Sequence, residues 1–379
     1  MTRVFIVAGE ASGDKLGEAV MHGLGALAPG VEFAGVGGPL MQGEGLGSIF
    51  PMDELSVMGL SEVLPKYRAL VRRKNETVRA ALEFGPDVLL TIDSPDFCKR
   101  VAREVKAARP GIRTVHYVAP SVWAWRPKRA AKMAAYIDQV LTLLPFEPPY
   151  MEAAGMRADF VGHPVVSEPQ PSREDITRYR ADHGLGEDPV MLLLPGSRLG
   201  EVGRLSERFG AAAARVREAR PELRPVVIVA DAVKGWLEAN RGLFPGETVF
   251  VTPKDGAEKR AAFSASSVAL AASGTVSLEL AAANVPMVIG YDMAWLSRLV
   301  LPRLMKIDTF TLVNLVSETR AVPEFIGKAC LAEPMAQAVL EAYAAPEAQR
   351  EAMRLTMARL GRGGEAPGLR AARAVLEAL

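Results

Sequence analysis

The chain reads as an α/β protein of two doubly wound domains facing a shared cleft, and three features carry that reading. Short apolar strand signals alternate with helix-length segments along both halves, the pattern of parallel sheets with right-handed crossovers. A polar, proline-bearing stretch, GHPVVSEPQPSRED at 162–175, separates the two series. Several strands run into glycine turns at their carboxyl ends, where open α/β sheets take ligands.

In the first half, strands are predicted near 3–8, 32–36, 87–92, 113–118, 138–143 and 158–161, with helices at 15–27, 59–83, 96–108 and 127–136. In the second, strands fall near 190–194, 225–230, 247–251, 267–271 and 286–290, with helices at 199–219, 256–264, 276–283 and 334–360. Val190 to Leu194 shows the logic: five apolar residues suit a strand buried on both faces, and Pro195-Gly196 ends it. The domains are placed at 1–163 and 172–354, and the Ala/Glu/Arg-rich 330–379 is expected to be helical throughout.

A chain of 379 residues, 49% hydrophobic, is long enough for two cores. A net charge of +1 gives no global pull toward nucleic acid. Two cysteines, Cys98 and Cys330, cannot staple a fold of this size and suggest a reducing cytosol. The opening MTRVFIVAGEASGD enters a strand at once, unlike a secretory signal, and no apolar run reaches the ~20 residues of a spanning helix. A soluble or peripheral protein is expected.

Five stretches could carry chemistry. After the first strand, VAGEASGDKLG (7–17) places Glu10, Ser12 and Asp14 in a glycine turn. Two carboxylates repel a diphosphate and suit sugar hydroxyls better; the structural alternative is a helix capped by Ser12 with Asp14 in its first turn. In LLTIDSPDF (89–97), Asp93 ends a strand and Ser94, Pro95 and Asp96 read as N-cap, N1 and N2. Asp96 is either a cap or a general base held on a rigid element. HYVAPSVWAWRPKRAAK (116–132) displays Trp123 and Trp125 before Arg126, Lys128 and Arg129: rings to stack on sugars or to pack, cations to attract phosphate.

LLLPGSRLGEV (192–202) is a strand, a glycine turn and a helix start, with Ser197 as N-cap. Such a turn presents unpaired amides and partial positive charge, an anion site to which Arg198 adds a planar fork. The alternative is an arginine pairing Glu201 or Glu207 on its own helix. Ser273-Gly274-Thr275 forms a second such turn, and Glu279, one helical turn in, could accept hydrogen bonds from two ribose hydroxyls. Two phosphate cradles and a ribose-seeking carboxylate fit a nucleoside diphosphate. The four histidines are scattered and no Asp-x-Asp motif occurs, so neither metal nor other cofactor is expected.

AGEASGD, SPDF, PSVWAWR, LPFE, GHP, LLPGSR with Glu201-Val202, and ASGT with Leu278-Glu279 occur in that order. Together, over about residues 3–330, they closely resemble the lipid-A-disaccharide synthase family of Gram-negative bacteria. The resemblance implies two Rossmann-like domains in the GT-B architecture, donor held by the C-terminal domain and acceptor by the N-terminal one. It also implies a last helix, about 361–379, that crosses back to the N-terminal domain. The implied donor is UDP-2,3-diacylglucosamine and the implied acceptor 2,3-diacylglucosamine 1-phosphate. The acceptor's 6-hydroxyl attacks with inversion to give a β-1,6 disaccharide 1-phosphate and UDP. Arg198 then neutralises the diphosphate and Asp96 is the base, with Asp93, three residues away at the strand end, the competing candidate. Other UDP-sugar transferases, UDP-N-acetylglucosamine 2-epimerases and a non-catalytic nucleotide-sugar binder remain alternatives on the same fold. One departure stands out: the family usually has Pro-Asn-Leu after the sixth strand of the second domain, and this chain has Val313-Asn314-Leu315. Asn314 is retained as a donor contact without the stiffening proline.

LSVMGLSEVLPKYRALVRRK (55–74) has Leu60, Val63, Leu64, Tyr67, Leu70 and Val71 at helical spacing, with Lys66, Arg68, Arg72, Arg73 and Lys74 on the polar side. Pro65 is expected to break the helix into two short pieces. The pattern suits either a core helix or a segment resting on anionic lipid. We expect the latter, with Val57, Met58, Leu60, Val63 and Leu64 contacting acyl chains or the cytoplasmic leaflet of the inner membrane.

Overall fold

The computed structural model describes residues 2–55, 60–125, 127–293 and 307–379, and describes residues 60–66 by their backbone alone. The chain divides into two compact units, Met1–Ser167 with Gly363–Leu379, and Glu168–Arg362.

The first unit contains β1 (Arg3–Ala8), α1 (Ala11–Leu27), β2 (Glu32–Val36), α2 (Pro39–Gly43), α3 (Leu60–Phe84), β3 (Val88–Ile92) and α4 (Pro95–Ala108). β4 (Arg113–Tyr117), α5 (Lys128–Met133), β5 (Gln139–Thr142), α6 (Pro148–Glu152) and β6 (Arg157–Phe160) follow. Its six strands are parallel in the order β2-β1-β3-β4-β5-β6. β1 explains why these strands are apolar without alternation. Val4, Ile6 and Ala8 pack toward α1, while Phe5 and Val7 pack toward α4 and α5 on the other face.

The second unit starts with α7 (Arg173–Asp182), whose N-terminus is closed by a capping box between Ser172 and Asp175. β7 (Val190–Leu194), α8 (Leu199–Ala219), β8 (Arg224–Ile228), α9 (Lys234–Ala239), β9 (Val249–Val251), α10 (Gly256–Ser264) and β10 (Val268–Ala272) come next. α11 (Val276–Ala282), β11 (Met287–Tyr291), α12 (Leu312–Ser317), β12 (Glu324–Ile326), α13 (Ala332–Ala344) and α14 (Glu347–Arg359) complete it. The sheet order is β12-β11-β10-β7-β8-β9, again parallel throughout and the doubly wound order of Rossmann folds.

α15 (Pro367–Leu376) belongs to the first unit and packs on α1. Small residues permit the approach: a Cβ at Gly368 would lie 2.5 Å from the Ala19 carbonyl oxygen. Arg370 Nη2 donates to the Phe160 carbonyl at 2.6 Å and Gln139 Nε2 to that of Ala374 at 2.9 Å.

Three expectations need correction. The helix expected at 334–360 is two, α13 and α14, because Pro346 caps α14, and the tract is not helical throughout, since Gly361 and Gly363 (φ 105° and 84°) turn the chain before Pro367 starts α15. α3 runs unbroken from Leu60 to Phe84 through Pro65. A proline early in a helix forfeits a single amide bond, a loss that the following turns of α3 outweigh. β12 was not predicted and lies after Asn314, so Asn314 precedes the sixth strand of its unit instead of following it. No helix among the described residues is long and apolar enough to cross a membrane.

Candidate active site

Each sheet has one place where the winding direction reverses, and ligands of such sheets bind there, outside the strand ends. In the second unit it lies between β7 and β10, which pair directly. The two glycine turns read from the sequence are the turns that leave these strands.

After β7, Gly196 adopts φ 118°, and a Cβ there would sit 2.9 Å from Glu201 Cβ. Only glycine makes that turn without strain. The N-cap of α8 is Arg198, in extended conformation and without a side-chain cap bond. Ser197 is therefore not the cap: the helix starts one residue later than a Ser197 cap requires, leaving that hydroxyl in the turn itself. Arg198 is largely exposed, and its Nη1 lies 3.5 Å from Glu201 Oε1. So long and solvated a pair holds the guanidinium weakly.

After β10, Ser273 and Gly274 lead to Thr275 at the N-cap position of α11, and Ser277 Oγ donates to the Gly274 carbonyl at 2.9 Å. Glu279 lies in the first turn of α11, where Lys259 Nζ of α10 holds its Oε2 at 2.5 Å. Lys259 was not singled out from sequence; twenty residues separate the partners, and no local spacing joins them.

Asn314 does something other than expected. It is 1% exposed; its amide nitrogen donates to Val322 O at 2.9 Å and Thr309 Oγ1 at 3.3 Å, and its Oδ1 accepts from Val322 N at 3.0 Å. Both ends of the side chain are spent on tying α12 to the approach of β12. Asn314 is corrected from donor ligand to internal clamp, beside the buried Val313.

In the first unit the reversal lies between β1 and β3, which also pair directly. Glu10, after β1, is exposed and occupies the N-cap position of α1. Ser12 is inside that helix, so it does not cap it. Asp14 is 3% exposed and wholly committed: Oδ1 accepts from Gly38 N (2.8 Å) and Met41 N (3.1 Å), Oδ2 from Leu40 N (3.0 Å). It caps α2, whose unpaired amides need such a carboxylate, and is withdrawn as a sugar ligand.

Beyond β3, Asp93 and Ser94 both adopt left-handed backbone, φ 48° and 41°, and Asp93 N donates to Tyr117 O at 3.0 Å. Two successive non-glycine residues there cost on the order of 1–3 kcal/mol each, and such strain gathers at functional sites. Burial raises the Asp93 carboxyl above its ordinary range, against the pull of the Ser94 amide and the Lys99 charge. Burial also lowers Lys99, helped by the neighbouring Arg129. Asp96 is exposed in the first turn of α4 and, with Glu10, lines a cavity of about 460 Å³. Leu55, Tyr67, Leu70, Val71, Pro95 and Phe97 form the apolar part of the cavity lining; Lys74, Ser94, Arg100, Arg103 and Glu104 complete it.

The two tryptophans separate. Trp123 is packing: its Nε1 donates to Glu147 Oε1 at 3.2 Å, and its ring meets Phe146 edge-on at 5.2 Å. Trp125 is half-buried, with the Arg129 guanidinium 5.0 Å above its ring. Glu147 also accepts from Leu143 N (3.2 Å) and Leu144 N (3.0 Å), and burial raises its carboxyl to about 7. Val118, before this loop, is a β-branched residue at φ 84° whose amide donates to Leu141 O at 3.0 Å.

Val57, Met58 and Arg126 lie outside the described residues, as do the side chains of Leu60, Val63 and Leu64. Of the cations expected to face lipid, Arg73 is bound to Glu54 (2.6 and 2.7 Å) and Glu76 (2.7 Å), and Lys74 to Glu104 (2.6 and 2.7 Å). Those two serve the fold; the sequence shows their charge but not the carboxylates that claim it.

A family model described as lipid-A-disaccharide synthetase matches residues 4–367. The chain is 60% identical over 385 residues to the lipid-A-disaccharide synthase of Ruegeria pomeroyi, covering 100% of this chain and 96% of that one. It is 43% identical over 389 residues to the enzyme of that name from Rhodospirillum centenum, covering 99% and 94%. Among solved structures, UDP-GlcNAc 2-epimerase from Neisseria meningitidis bound to UDP-GlcNAc shares the fold (TM-score 0.65, 10% identity, 100% and 99% covered). So does the calicheamicin glycosyltransferase CalG4 (TM-score 0.58, 18% identity, 100% and 98% covered). The chain belongs to the lipid-A-disaccharide synthase family and is a glycosyltransferase of lipid A disaccharide formation.

Proposed function

We propose that the second unit holds UDP-2,3-diacylglucosamine and the first holds 2,3-diacylglucosamine 1-phosphate. The acceptor's 6-oxygen forms a bond to the donor's anomeric carbon on the face opposite the UDP. The bond from that carbon to the β-phosphate oxygen breaks, its electron pair leaving with UDP, and a carboxylate takes the hydroxyl proton. The product is the β-1,6 disaccharide 1-phosphate, with inversion.

In this reading the amides of the 195–198 and 273–275 turns and the guanidinium of Arg198 meet the charge that grows on the leaving diphosphate. Arrays of this kind are among the largest contributors to catalysis. Ser197 and Glu201 shape the first turn, and Glu279, steadied by Lys259, receives the ribose hydroxyls. Glu10, Ser12, Trp125 and Arg126 contact the acceptor sugar.

The base is the point on which Asp96 and Asp93 compete, and the geometry supports Asp93. A strained backbone fixes its position at the β1/β3 reversal, and burial raises its proton affinity, as a base working near neutral pH requires. Asp96, solvated and one turn away, suits the acceptor's hydroxyls. That contrast between the two aspartates is the observation that carries the mechanism. Steady-state UDP release by Asp93→Asn and Asp96→Asn tests it: a loss confined to Asp96→Asn returns the base to Asp96.

The protein is further proposed to act at the cytoplasmic face of the inner membrane, with Val57, Met58, Leu60, Val63 and Leu64 on acyl chains or lipid. Replacing Met58, Leu60 and Leu64 together by Ser should release it from anionic vesicles with little change in melting temperature. A steep fall in melting temperature with vesicle binding unchanged would show ordinary core.

A further inference from the structure

Resting on that transferase reading, we propose that Arg100 and Arg103 bind the 1-phosphate of the acceptor and select a sugar that is both phosphorylated and acylated. Asp96, Arg100 and Arg103 stand at i, i+4 and i+7 of α4, so one helix face carries all three to the same cavity. Across it, α3 supplies Tyr67, Leu70 and Val71. The one chamber therefore offers hydroxyl acceptors at its strand end, cations farther along α4, and apolar surface opposite. An acylated sugar phosphate presents the matching groups.

The lining holds three carboxylates and three cations, Glu10, Asp96 and Glu104 with Lys74, Arg100 and Arg103, but they are not all paired with one another. Glu104 also lines the cavity, but Lys74 Nζ holds both of its oxygens, at 2.6 and 2.7 Å. Among the described residues neither arginine enters an ion pair. Two like charges one helical turn apart repel, and a phosphate dianion reverses that cost by accepting from both guanidinium forks. The rise from Asp96 to Arg100 is about 6 Å and to Arg103 about 10 Å. Arg100, Arg103 and Asp96 all line the one chamber, and helical side chains lean toward the N-terminus of their helix, the end at which Asp96 stands. A phosphate there leaves the rest of the sugar toward the strand end of the cavity, lined by Glu10, Ser94 and Asp96, the residue that follows Asp93 by three. Anionic lipid headgroups offer the same phosphate chemistry, and the test separates the two sources.

Calorimetric titration of the full-length protein in detergent micelles, with 2,3-diacylglucosamine 1-phosphate and with the same lipid lacking its phosphate, reads the site without requiring turnover. The double variant R100A/R103A should bind the phosphorylated acceptor on the order of 100-fold more weakly, about tenfold per charged hydrogen-bonding group lost. Binding of the dephosphorylated lipid should weaken little, so discrimination between them collapses, and R100K/R103K should restore part of it. UDP affinity and melting temperature, measured alongside, establish that the variant is folded. Undiminished preference for the phosphorylated lipid in R100A/R103A overturns the proposal. So does a loss confined to co-sedimentation with anionic vesicles, which would assign the arginines to bilayer headgroups. A wild-type protein that binds the phosphorylated acceptor through these arginines yet forms no disaccharide would sink the transferase reading and leave this site standing.

Discussion

Asp93 and Asp96 are three residues apart and chemically alike, and their surroundings assign them different work. Asp93→Asn should cut turnover by roughly 10²–10⁴-fold with UDP affinity unchanged, the usual worth of a positioned base. Asp96→Asn should act chiefly on the KM for acceptor. Glu147 offers a separate test. Burial raises it from 4.5 to about 7, so between those values the folded protein keeps a proton that the unfolded chain has released. Its contribution to stability therefore falls as pH rises from about 4.5 to about 7 and stays at the lower level above. Melting curves across pH 4.5–8 should show this slope in the wild type and lose it in Glu147→Gln, whatever constant offset the amide adds; equal slopes would contradict the assignment. Asn314→Ala should cost about 1–3 kcal/mol of stability, as buried partners lose their bonds, and leave UDP affinity of the folded protein intact. Residue types and turn chemistry made Asp93, Asp96, Arg198 and Glu279 visible in the sequence. The commitment of Asp14 to Gly38, Leu40 and Met41, and of Asn314 to Val322, was not visible, because hydrogen bonds between distant segments leave no local pattern.

At the scale of elements, apolar periodicity was most informative where a helix stands between clear breakers. α8 and α10 occupy the predicted 199–219 and 256–264. It failed where an element is held by tertiary contact. β12 has three residues and follows β11 only because its backbone pairs along Ile289–Tyr291. α2 has five residues and a cap supplied by Asp14 from another helix. The α1–α15 contact depends on small residues that sequence composition reports merely as alanine and glycine. Gly368→Val should drive a branched side chain into the Ala19 carbonyl, costing about 1–3 kcal/mol as overpacking does. Thermal melting checks this, and Gly25→Ala, where a Cβ meets nothing within 4 Å, is the control that should match or exceed wild type.

Across the molecule, strand order decides which turns meet. Glu10 and Asp93 are 83 residues apart, and Ser197 and Ser273 are 76 apart. Each pair becomes adjacent because β1 lies beside β3 and β7 beside β10. The sequence showed strands, helices and the motifs at their ends, hence the fold class, but not which strands are neighbours. The ordered motifs supplied by resemblance what periodicity lacked. The central claim is that this chain transfers a diacylglucosaminyl group from UDP to the 6-hydroxyl of a lipid acceptor. Quantifying UDP and disaccharide by mass spectrometry, from UDP-2,3-diacylglucosamine with and without 2,3-diacylglucosamine 1-phosphate, tests it most directly. The account predicts UDP and a β-1,6 disaccharide 1-phosphate in equal amounts, both dependent on acceptor. UDP release or sugar epimerisation without acceptor, and no disaccharide with it, would contradict the account.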